Sequence, residues 1–141
     1  MKIDISFDHP HLRFSRKETI RAIKSVLRRE QRKFEEISVV YTNNSRIRLI
    51  NGKHLKHNFV TDVITFELER SPKLETEIYI NLDRARSQAK LYGETFRDET
   101  RRLLVHGLLH LLGYNDKSKR EMTLMRGEED AVLEDLRKRK N

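Results

Sequence analysis

The sequence contains no cysteine. Disulfides and thiolate metal sites are therefore excluded, and any metal must be held by histidine and carboxylate. Only two prolines are present, and no Pro/Gly-rich linker, internal repeat or low-complexity run divides the chain. One domain is expected, because 141 residues can bury roughly 68% of their unfolded surface around a single core. No apolar run approaches the length of a membrane span, and the start, MKIDISFD, lacks an apolar h-region. Neither a membrane anchor nor an export signal is expected, which places the protein in the cytoplasm. Acidic charge is also in deficit: the formal net charge is +8. Residues 1–60 carry 14 Lys/Arg against 6 Asp/Glu, whereas residues 61–141 carry 16 of each. The excess belongs to the N-terminal part and makes a nucleic acid a candidate partner, with a solvated basic helix as the bland alternative.

What is present is clustered and periodic. KIDISF (2–7) alternates and predicts a strand, as do ISVVYT (37–42), DVITF (62–66) and EIYIN (77–81). Ser15 and Glu18 form a capping box that opens a helix through about Lys33. That helix carries an apolar stripe (Ile20, Ile23, Leu27, continued by Phe34) and a basic one (Arg21, Lys24, Arg28, Arg32). Asn44 or Ser45 caps a short helix with Ile47 and Ile50. ELERSPKLET (67–76) is polar, holds Pro72 and reads as a mobile loop. Asp83 opens a helix that Tyr92-Gly93 ends. The next starts near Thr95 and is the most apolar of the chain, with Leu103, Leu104, Leu108 and Leu111. Gly113 suits a left-handed turn at its end. Ser118 and Glu121 cap a last helix, and RKRKN is expected to fray. The expected fold is α/β: a small mixed sheet of about four strands, packed with about five helices.

The chemistry concentrates in HGLLHLLGYND, His106 to Asp116. His106 and His110 lie one helical turn apart, so their imidazoles share a face. An isolated pair at this spacing is usually packing or surface. Here both histidines sit on the most apolar helix, where imidazoles need partners. Gly113 permits the chain to turn back, and Asp116 follows where it can complete a group of three ligands. Two histidines and a carboxylate suit Zn²⁺ with one position open for water, whose pKa would fall towards neutrality. Non-haem Fe(II) uses the same donor types. Zinc peptidases of the HExxH type carry a general-base glutamate where this chain has Gly107, so peptide hydrolysis is disfavoured. The basic N-terminal half points instead to a phosphodiester.

HGLLHLLGYND, with TDVITF at 61–66 and EIYIN at 77–81, resembles the YbeY family of bacterial rRNA-maturation factors over about residues 37–125. The resemblance implies a single metallohydrolase domain over 1–141. It implies a metal-dependent, single-strand-specific endoribonuclease that acts in small-subunit rRNA 3′-end processing and ribosome quality control. Single-stranded RNA and the ribosome would be its partners. It also implies one Zn²⁺, or another divalent transition metal, held by His106, His110 and position 116. The third family ligand is a histidine; here it is Asp116, which keeps three ligands but adds a negative charge. A functionally important family arginine falls on Leu55, and Lys56, His57 or His54 are candidates to replace its charge. Arg21, Lys24, Arg28 and Arg32 are candidates to track an RNA backbone. Thr61 and Asp62 either line the cleft or anchor a neighbouring helix. Tyr114 packs under the site or stacks on a base, and Met122 and Met125 are core or a floor beneath the metal. Two rival functions are a non-catalytic ribosome-assembly factor with a structural metal and a metallopeptidase or amidase.

Overall fold

The structure is a computed structural model and describes residues 1–55, 60–70 and 73–139. Four strands form one sheet in the order β1-β2-β4-β3. β1 (Lys2–Phe7), β2 (Glu36–Thr42) and β4 (Lys73–Asn81) run parallel, and β3 (Val63–Arg70) pairs antiparallel with β4. Along β2, Ile37, Val39 and Tyr41 alternate inward and are fully buried; along β4, Ile78 and Ile80 do the same. This period of two gives the sheet its core face. Ile64 lies on the other side with Ile47 and Ile50 of α2 (Asn44–Ile50), forming a smaller cluster joined by Val60, Phe66 and Tyr79.

α1 (Arg16–Glu30), α4 (Phe96–Leu111) and α5 (Lys119–Lys138) pack together on the core, with α3 (Leu82–Tyr92) beside α4. α4 is central: it contacts α1, α3, α5, β3 and β4, and Leu104, Val105 and Leu109 on it are wholly buried. Its approach to the sheet depends on Gly107. A Cβ there would lie 2.9 Å from Val63 Cγ1 and 3.2 Å from Ile78 Cγ2, so only glycine lets the helix sit this close. Side-chain ties hold α5 to α1: Ser25 Oγ donates to Asp135 Oδ2 (2.8 Å), Arg21 donates to the Leu136 carbonyl (2.9 Å), and Arg28 and Arg29 pair with Asp135 and Glu128. No helix among the described residues is long and apolar enough to cross a membrane.

Several local expectations need correction. The segment 67–76 is not a loop of its own. Pairing runs from Val63↔Ile80 to Arg70↔Lys73, so the hairpin arms extend through most of it; Ser71 and Pro72 lie outside the described residues. Backbone pairing with β4 outweighs the polar composition of these arms. α1 stops at Glu30 because Gln31 takes a left-handed conformation (φ 53°) that returns its N–H to the Leu27 and Arg28 carbonyls. α3 is capped by Asn81, whose side chain accepts from the Asp83 and Arg84 N–H groups. Asp83 is used elsewhere: it binds His9 Nε2 (2.8 Å) and the Asn44 N–H (3.0 Å). The last helix runs on to Lys138, with Arg137 paired to Glu134 and Arg139 to Asp135. Ser15 caps α1, but Glu18 turns to Arg97 and Arg101 instead of closing a box, and Asn43, not Asn44 or Ser45, caps α2. The start near Thr95, the Gly93 stop and the Ser118–Glu121 capping box stand where the sequence puts them.

Candidate metal centre

The last turns of α4 and the turn that follows bring three side chains together. His106 and His110 project from one face, their rings 4.7 Å apart and edge to face. Leu112 closes the helix, Gly113 adopts φ 104°, and the chain doubles back so that Asp116 faces both rings. Asp116 Oδ2 lies 3.4 Å from His110 Nε2 and 3.6 Å from His106 Nε2. One donor atom from each of the three residues falls within 4.8 Å of the others. Zn–N and Zn–O bonds of about 2.0–2.2 Å place neighbouring donors of a tetrahedron about 3.3–3.5 Å apart. The Asp116–His110 separation of 3.4 Å matches that edge and the Asp116–His106 separation of 3.6 Å slightly exceeds it, and the donor set is one zinc accepts. The residues therefore fit the ion.

The histidines are not sealed in the core. Their side chains are 24% and 28% exposed, so the ligand face opens to solvent. It opens into a cleft of about 530 Å³ lined by Asp62, Gln88, Tyr92, Glu99, Arg126 and Met125, among others.

One residue that sequence reasoning missed orients the group. Glu129 of α5 is buried, and its Oε2 lies 2.5 Å from His106 Nδ1. Its other oxygen accepts from Arg102 (3.0 Å), which also pairs with Asp130. Burial alone would push the His106 pKa down. The Glu129 bond and charge, with Asp62 and Asp116, hold it above its usual value instead. A proton kept on Nδ1 leaves the Nε2 lone pair free to face the ligand group, the arrangement in which a carboxylate fixes the tautomer of a metal-binding histidine. No local motif announces Glu129, which lies 23 residues beyond His106.

The other candidates sort as follows. Asp62 lines the cleft and accepts a long bond from Gln88 (3.4 Å), while its carbonyl receives the Asn81 N–H. Thr61 offers its carbonyl to the Asn81 side chain. Tyr114 packs against the core; burial and the nearby Glu30 carboxylate push its pKa up to about 12. Met125 is core and also floor of the cleft, whereas Met122 is 54% exposed at the rim and is not core. None of Arg21, Lys24, Arg28 and Arg32 lines this cleft. Arg21 and Arg28 are tied to α5 through Leu136 and Asp135, and Arg32 lies over the Phe34 ring. Lys56 and His57 lie outside the described residues, as do the side chains of His54 and Leu55.

Against known families, the model described as endoribonuclease YbeY matches residues 4–137. The chain belongs to the YbeY family. Curated relatives named endoribonuclease YbeY include one from Chloroherpeton thalassium, 40% identical over 113 residues that span 80% of each chain. Another, from Cytophaga hutchinsonii, is 37% identical over 79% of this chain and 78% of its own. Among solved structures, TM1509 from Thermotoga maritima superposes with a TM-score of 0.62, covering 96% of this chain and 92% of its own. At 22% identity that likeness bears on the fold alone. In space, the Asp116 carboxylate forms the third corner of a group that could hold a metal ion with His106 and His110.

Proposed function

We propose that residues 1–141 form one metallohydrolase domain, a zinc-dependent endoribonuclease. Its substrate is single-stranded RNA, and its role is small-subunit rRNA 3′-end processing and ribosome quality control in the cytoplasm. Membership of a family whose members are named endoribonuclease supports the activity. The observation that carries the reading is the group His106, His110 and Asp116, which fits a divalent ion and opens into a cleft. These three residues would hold the Zn²⁺ or another divalent transition metal. When bound, the ion supplies Lewis-acid stabilisation of charge developing on a phosphodiester.

The chain's own residues do the rest. Glu129 and Arg102 hold the His106 ring in place. Arg126, exposed at the cleft and without an ion pair among the described residues, is available to a phosphate. Gly107 faces β3 and β4 rather than the cleft, so the position that carries a general base in HExxH peptidases has neither a carboxylate nor room for one. That disfavours peptide hydrolysis. The open ligand face favours catalysis over a purely structural ion. For the α1 stripe the reading keeps a longer-range attraction: Lys24 is exposed, while Arg21 and Arg28 already serve α5.

The test is metal content and cleavage of a single-stranded rRNA-tail oligonucleotide, by the wild type and by His110→Ala. About one metal per chain with cleavage, both lost in the variant, is expected. A metal-loaded protein that cuts nothing under any added metal would overturn the catalytic reading and leave an assembly factor with a structural ion.

A further inference from the structure

The cleft reaches well beyond the metal group, and its far part has a chemistry of its own. Glu99 stands seven residues before His106 on α4, hence about 10.5 Å away along the axis and on nearly the same face. That is too far to act on a phosphate at the metal group, but within the span of an attached nucleotide. Glu99 is only 6% exposed, yet it lines the cleft. Its side chain has no hydrogen bond or ion pair among the described residues: the neighbouring Arg102 is committed to Glu129 and Asp130. Burial pushes its pKa up; Arg102 opposes this, and Asp62 and Glu94 add to it. Among the described residues no fully buried side-chain oxygen goes unpartnered, so the Glu99 oxygens reach the cleft itself, where an entering group can bond to them.

The same cleft also holds an aromatic ring. Tyr92 is the last residue of α3, held outward where Gly93 turns the chain at φ 69°. It is 61% exposed, an unusual state for a large ring that makes no aromatic contact and no hydrogen bond among the described residues. It lines the same cleft as Glu99, with Gln88, Met122 and Arg126. A flat ring, a thioether, an amide, a buried carboxyl and a guanidinium together suit a nucleobase with its phosphate: a face to stack on, an edge to read, a charge to neutralise.

Resting on the endoribonuclease reading above, we propose that this part of the cleft is a nucleobase subsite: the base of an unpaired nucleotide next to the scissile phosphate stacks on Tyr92 and presents its edge to Glu99 and Gln88. The site selects single strands because a paired base cannot leave its stack to enter. Stacking tolerates any base, and Glu99 sets the preference among them.

The experiment compares kcat/KM of wild type, Tyr92→Ala and Tyr92→Phe on single-stranded oligoribonucleotides. Each substrate is used intact and with one abasic position walked along the chain near the cut. Tyr92→Ala is expected to lose roughly 5- to 150-fold on intact RNA, the range that stacking of one base supplies, while Tyr92→Phe keeps most of the activity. At one position the abasic substrate should lose a similar factor with wild type and show no further loss with Tyr92→Ala. Glu99→Gln should change the relative rates among the four bases there; unchanged rates would remove Glu99 from the subsite. Equal losses for Tyr92→Ala on intact and abasic substrates, or none on either, would overturn the stacking while wild-type cleavage leaves the endoribonuclease standing. A wild type that cuts no single-stranded RNA would overturn both.

Discussion

Replacing Glu129 by glutamine tests whether the buried carboxylate is part of the metal centre or only of the core. The substitution keeps shape and removes charge. In the native arrangement Glu129 holds His106 Nδ1 at 2.5 Å and Arg102 at 3.0 Å, and it is almost fully buried. A carboxylate behind a ligand histidine fixes the ring and makes its far nitrogen a better donor. Losing one typically weakens metal binding about 10- to 100-fold, or about 1.4–2.7 kcal/mol. The amide of glutamine can still accept from Nδ1, so the lower half of that range is expected for Glu129→Gln and the upper half for Glu129→Ala. The assay is zinc affinity by competition with a chromophoric chelator, with Asp130→Asn as control. Asp130 shares Arg102 but does not touch His106. Thermal stability of the metal-free proteins is measured alongside. If Glu129 merely supports the core, Glu129→Gln lowers the metal-free melting temperature and leaves zinc affinity where Asp130→Asn leaves it. That result would refute the reasoning.

Gly107→Ala should destabilise the fold. Overpacking against Val63 and Ile78 costs about 1–3 kcal/mol against about 1 kcal/mol of gained helix propensity, a net loss of up to about 2 kcal/mol; a urea midpoint above wild type would contradict this. Glu18 pairs with Arg97 (2.7 Å) and Arg101; burial raises its pKa, but the two guanidiniums outweigh this and hold it below the usual value. A depressed carboxyl contributes stability above its unfolded pKa, near 4.5, and loses it as pH falls through the folded value. Glu18→Gln should therefore melt below wild type at pH 7, with the gap closing below pH 4.5; a constant gap in melting temperature across that range would refute the pairing. Asp116→Asn, which removes the anionic donor, should weaken zinc binding in the same chelator assay, and Asp116→His should keep the metal and raise cleavage. One charge near 4 Å is worth about 1 kcal/mol in a solvent-like environment, and this carboxylate is 44% exposed, so a gain of about fivefold is expected.

The fold was largely legible because its signals are local. Alternation marks β1 and β2, and side-chain caps mark α1 and α5 at the residues expected. The failures share a cause in long-range pairing. The arms around Ser71-Pro72 look like a loop in isolation, and only the β3–β4 register makes them strands. Asp83 looks like a cap until it is seen bound to His9, 74 residues away.

The metal centre shows the same division more sharply. Its three candidate ligands lie within 11 residues of sequence, so helical spacing and one glycine turn are enough to find them. The groups that make them useful come from elsewhere: Glu129 from α5, Asp62 from the strand entrance, Tyr92 from the end of α3. What assembles them is the close seating of α4 on the sheet, and that depends on Gly107. The absent glutamate of HExxH, which first reads as a missing catalytic group, is a packing requirement in this fold. With a side chain at 107 the helix would have to move off Val63 and Ile78. Asp62, which precedes Val63 on the approach to β3, would then change its distance from His106, and the cleft between them would change shape. The glycine that excludes one chemistry thus holds together the geometry needed for another.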